Sequence, residues 1–159
     1  MPGVKRRLTE SDTLYRVLRP NDPPEYEGDV PLPFGFMDKG RTRDGLPGET
    51  LSFFDAGRVS PTEALRNVSK SRLARDRCGT GREPPSPETM YHCRYRVAAL
   101  RASFVIEACD DRGNDLALET DDQGSTVAAD GHVGVLNGDR LAPLWARHAR
   151  ILSRDETLA

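Results

Sequence analysis

Thr50-Leu51-Ser52-Phe53-Phe54, with Ser60-Pro61-Thr62-Glu63 a short way downstream, is the stretch on which the fold turns. The first segment is a short apolar run of the length expected for a buried strand. The second is a helix start with a mechanism. Ser60 can accept from the free amide of Glu63, Pro61 suits the first helical position, and Glu63 can reach back to the cap. A helix is expected from Pro61 to Arg77, ended by Gly79, with Leu65, Val68 and Leu73 on one side. Arg66, Lys70 and Arg75 fall outside that stripe.

Working outward, Leu14-Tyr15-Arg16-Val17-Leu18-Arg19 partly alternates and stops at Pro20, which reads as a first strand. Pro20 to Gly48 is rich in proline and glycine, with Phe34, Phe36 and Met37 as its apolar knot, and reads as a long structured loop. Residues 79–89 read as a second loop. Beyond them, Tyr91 to Val97 reads as a strand, 98–102 as a turn or one helical turn, and Ser103 to Cys109 as a further strand. Leu116 to Glu119 and Thr126 to Ala128 are weaker strand candidates, and His132 to Leu136 is a better one. Asp139 can cap a last helix, whose apolar stripe is Leu141, Leu144, Trp145, His148 and Leu152. The sum is a single α+β domain over residues 13–153, with a mostly antiparallel sheet and two main helices. Residues 1–12 are expected to be disordered and 154–159 to form a tail.

The chain has 159 residues, enough for one core. With 23 basic and 25 acidic residues its net charge is -2, which disfavours a globally basic nucleic-acid binder. The charges are segregated: residues 58–101 carry ten Arg/Lys and four Asp/Glu, and residues 102–139 carry one Arg and nine Asp/Glu. Solvated faces explain most such patterns, but a basic helix face can also meet an acidic partner. No run is long and apolar enough for a membrane span, and no apolar leader follows Met1, so a soluble cytoplasmic protein is expected.

Cys78, Cys93 and Cys109 lack paired zinc spacing, and a disulfide framework is not expected. Adjacent His92 and Cys93 on a strand would face opposite ways and could not share an ion. Asp110-Asp111 and Asp121-Asp122 lack the spaced ligands of a calcium loop, so no metal is assigned. Ser52 has no nucleophile elbow around it. His132 follows Asp130 where a glycine-containing turn becomes a strand, a place suited to a base or to a structural histidine.

Two resemblances arise. Arg19-Pro20, Phe34-Gly35-Phe36-Met37-Asp38, Leu51-Ser52, and Asp130 to Val135 before the last helix resemble a group of small uncharacterised bacterial proteins, which brings no activity with it. Leu14-Tyr15-Arg16, Leu51 to Phe54 and Glu63-Ala64-Leu65 resemble the opening of ADP-ribosyltransferase-like folds, including RES-type toxins that consume NAD. That likeness implies Arg16 and Arg19 as phosphate ligands, an aromatic-serine strand at Ser52 framing the nicotinamide end, and Glu119 as the carboxylate. His132 joins this constellation as a catalytic candidate. No Gly-Gly-Arg-Trp-like segment precedes Leu51, and no acidic motif stands on the last strand.

Two functions follow. One is a non-catalytic interaction or accessory module beside a larger effector, presenting Arg66, Lys70 and Arg75 to a protein partner. The alternative is an ADP-ribosyltransferase-like enzyme acting on NAD or a related nucleotide. No convergent nucleophile, base and orienter is visible in the sequence, which favours the module.

Overall fold

A computed structural model describes residues 8–37, 51–105, 132–135 and 138–159, with 132–135 and 138–140 described in backbone only. The elements are β1 (Thr13–Leu18), β2 (Tyr26–Glu27), β3 (Val30–Pro31), a 3-10 turn (Pro33–Phe36), β4 (Leu51–Asp55), α1 (Pro61–Ser69), α2 (Arg72–Cys78), α3 (Pro87–His92), β5 (Arg96–Arg101), β6 (His132–Val135), α4 (Gly138–His148), β7 (Arg150–Ile151) and α5 (Arg154–Leu158). Five strands form one sheet in the order β6-β4-β1-β5-β7, and every described pairing is antiparallel. The chain is a single α+β domain.

Both faces of the sheet are covered, and strand alternation assigns side chains to them. Leu14 and Leu18 of β1, Leu51 and Phe53 of β4, and Ala98 and Leu100 of β5 enter one cluster with Leu141, Ala142 and Trp145 of α4. Trp145 meets Phe53 edge-on at 5.7 Å, and Phe53 lies 6.4 Å from Phe36 of the 3-10 turn. The indole nitrogen donates to the Phe104 carbonyl at 3.4 Å. Val17, Phe54 and Val97 turn to the other side, where Ala64 and Leu65 of α1, Ala74 of α2 and Met90 of α3 cover them. Burying an indole and several large aliphatic side chains supplies the main driving force, about 1.5–3 kcal/mol for each aliphatic one.

The strand at Leu14 to Leu18, the short strand at Leu51 and the strand from His132 match the sequence reading, and a helix bearing Leu141, Leu144 and Trp145 follows them, although it begins at Gly138 and Asp139 lies inside it. The capping box at Ser60 forms as expected: the Glu63 amide donates to Ser60 Oγ at 3.1 Å, and the Ser60 amide donates to Glu63 Oε1 at 3.2 Å.

Several expectations are corrected. The helix expected over Pro61 to Arg77 is two helices, because Ser71 leaves helical geometry and its Oγ accepts from the Ala74 amide, restarting the chain in a new direction. Leu73, placed by the single-helix stripe in the core, is consequently 48% exposed. Tyr91 and His92 end a helix instead of opening a strand. Ser86 caps the Thr89 amide and Pro87 occupies the first turn, the same Ser-Pro device as at Ser60. The strand runs instead through Ala98 and Ala99 to Arg101, where six registered pairs with β1 override alanine's weak strand preference. Ala102, expected in a turn or single helical turn, is helical, and so are residues 103–105, where a further strand was expected.

The last helix stops at His148, so Leu152 leaves its stripe and packs on the opposite side of the sheet. The expected tail at 154–159 contains α5, opened by a second capping box from Ser153 and Glu156. In the N-terminal stretch, Leu8 is buried in the core. Part of the long loop after Pro20 is ordered as the β2–β3 hairpin and the 3-10 turn. The strand candidates at 116–119 and 126–128 and the aspartate pairs lie outside the described residues.

Candidate functional site

Arg16 lies on the α4 side of β1 and is only 4% exposed. β1 and β4 are registered with Leu14 against Asp55 and Tyr15 against Phe54. Beyond those pairs the Arg16 side chain bridges the strands to the 3-10 turn. Its Nε donates to the Gly35 carbonyl at 2.8 Å and a terminal nitrogen donates to the Ser52 carbonyl at 3.0 Å. Gly35 is tight for a reason: a Cβ there would stand 2.6 Å from Leu18 Cδ2 and 2.9 Å from the Glu25 carbonyl. Arg16 and Ser52 therefore do come together, but through the serine backbone. Alternation turns Ser52 toward the face of Phe54, opposite to Arg16.

Arg19 follows β1, half-buried, and its amide donates to Glu25 Oε1 at 3.1 Å. Glu25 is fully buried and also accepts from Asn21, whose own carbonyl oxygen accepts from Arg77. Burial pushes the Tyr95 phenol above its usual range, and the Arg77 guanidinium pulls it back. His132 is registered against Phe54, and Gly134 against Ser52. Glu119 lies outside the described residues.

A second arrangement stands on the other side of the sheet. α1 and the segment leading into α3 enclose a groove of about 540 Å³, lined by Glu63, Arg66, Ser69, Lys70, Pro84, Pro85, Ser86 and Pro87. Pro85 and Ser69 are buried, and Ser69 Oγ is turned back onto the Arg66 carbonyl at 2.6 Å. Arg66 and Lys70 are exposed at the rim and make no ion pair among the described residues. Glu63, the acidic lining residue, points one carboxylate oxygen at the Ser60 amide. Arg75, expected to share this face, is half-buried on α2 and does not line the groove. The proline wall was invisible in the sequence reading, which placed residues 79–89 in a loop without assigning them a neighbour. The repeated Ser-Pro helix start was the available signal.

No group of three potential metal ligands occurs among the described residues. His92 is exposed at the end of α3, and His148 stacks on Phe104 with ring centroids 4.0 Å apart. No helix among the described residues is long and apolar enough to cross a membrane. Comparison with protein-family models, with curated proteins and with solved structures gives no match for this chain.

Proposed function

We propose that this chain is a non-catalytic interaction module that seats an extended acidic segment of a partner protein in the groove between α1 and the entry to α3. The observation that carries this reading is the pairing of an apolar proline wall with two exposed cations, Arg66 and Lys70, that have no carboxylate partner among the described residues. The division of labour is physical. Desolvating the prolines supplies affinity, while rim cations contribute little net energy each but raise the encounter rate and select for negative charge. A groove of this size admits only a few side chains, which fits a weak and reversible contact.

Fluorescence anisotropy tests it with labelled peptides of matched length: one alternating acidic and apolar residues, one with the acids replaced by amides, and one basic. Saturable binding of the acidic peptide alone, weakening as salt rises, is the expected result. Equal binding of all three peptides, or none of the acidic one, overturns the reading.

A further inference from the structure

We propose, on the reading that the groove is the binding site, that Glu63 sets the order of charges the groove accepts: the partner segment places acidic residues opposite Arg66 and Lys70 and a basic residue opposite Glu63. All three side chains line the groove, and α1 carries them in a fixed relation. The helix runs from Pro61 to Ser69, and Lys70, which closes it, keeps helical backbone angles, φ -77° and ψ -12°. A helix rises about 1.5 Å and turns about 100° per residue. Arg66 therefore stands about 4.5 Å beyond Glu63 along the axis, and Lys70 about 6 Å beyond Arg66. Glu63 and Lys70, about two turns apart, fall within about 20° of one direction.

An extended chain repeats the side chains of one face at about 6.6 Å, close to the spacing of the two cations. Acids two residues apart in the partner thus meet Arg66 and Lys70 in step, and the next position on the same face falls beside Glu63. An acid there meets a carboxylate of like sign, whereas a lysine meets its counterion. Glu63 is exposed, and no salt bridge among the described residues involves it, so neither cation on its own helix neutralises it. Its Oε1 instead accepts from the Ser60 amide at 3.2 Å, which holds the carboxylate at the first turn of α1, away from Arg66. The remaining lining residues are prolines and serines and carry no charge, so α1 alone supplies the charge order.

The test is an anisotropy series on the full chain with labelled peptides of two designs, X-x-Asp-x-Asp and Asp-x-Asp-x-X, in which x is apolar and X is Lys, Gln or Asp. The two designs present the same charge order in opposite chain directions, and the one that binds more tightly is compared across X. The expected result is that Lys binds about two- to fivefold more tightly than Asp, with Gln between them, as for a single exposed charge pair. Glu63→Gln retains an acceptor for the Ser60 amide. In that variant, with its melting temperature checked, the Lys and Asp peptides should draw together. Asp binding as tightly as Lys to the wild type, or a gap that survives unchanged in Glu63→Gln, overturns the charge order while leaving the groove as the binding site. No saturable binding of either Gln peptide overturns the groove reading, and the charge order falls with it.

Discussion

Two arginine-bearing regions occupy opposite sides of one sheet and are built on opposite terms. Beneath α4, Arg16 is buried, and its guanidinium is directed at the Gly35 and Ser52 carbonyls. Beside α1, Arg66 is exposed at the edge of an apolar groove, and no carboxylate among the described residues neutralises it. The first arrangement joins β1, β4 and the 3-10 turn. The second leaves a charge available without holding any two elements together. The same residue type therefore reads as architecture in one place and as a binding surface in the other, and burial with backbone partners makes the distinction.

Stability measurements sharpen this contrast. The largest effect is expected at Trp145, fully buried against Phe53: Trp145→Ala should cost about 3–5 kcal/mol in denaturant unfolding, from lost transfer and the cavity left behind. A loss below about 1 kcal/mol would mean that α4 is not the lid of this core. Arg16→Met comes next. It shortens the side chain and strips one buried and one part-buried carbonyl of a donor, at about 1–3 kcal/mol for a buried one left unsatisfied. An Arg16→Met chain as stable as the wild type would contradict the structural assignment of this residue.

The smallest effect lies at the far end of the chain, and it depends on pH. Arg150 grips both oxygens of Glu156 at 3.0 and 2.9 Å, and the Ser153 amide adds a further donor. Together these hold the Glu156 carboxyl down at about 2, from an ordinary 4.5, with the Arg150 contact the larger cause. A depressed acid stabilises the folded state above its unfolded value, and that contribution fades as pH falls from 4.5 through 2. Wild type should therefore melt slightly above Glu156→Gln at neutral pH, the two converging across that acid window. Both side chains are exposed, so the difference should be small and shrink with salt. A gap that persists unchanged at pH 2 would place its cause elsewhere.

What could be read in advance divides along the line between local and distant interactions. The Ser60 box was legible because its cap, proline and glutamate lie within four residues. The strand pattern at Leu14 and the helix bearing Trp145 were legible because their periodicities match what they bury. Leu73 was misplaced because periodicity was carried across Ser71, where a cap interrupts it. Ala98 and Ala99 were misplaced because their strand character comes from pairing with Arg16 and Tyr15, far away in the chain. The site was less legible still. Arg16 was singled out, yet its described partners are backbone carbonyls, which leave no signature in residue type. Arg66 and Lys70 were singled out by charge, but the wall opposite them is made by prolines whose position depends on where α3 begins.

Arg66 and Lys70 are assigned to recognition and not to the fold. The direct measurement is the anisotropy titration of the acidic peptide against wild type and Arg66→Glu/Lys70→Glu, each checked for its melting temperature. The expected result is a folding stability within about 0.5 kcal/mol of the wild type, as for exposed sites, with loss of saturable binding. Full binding by the folded double variant would contradict it.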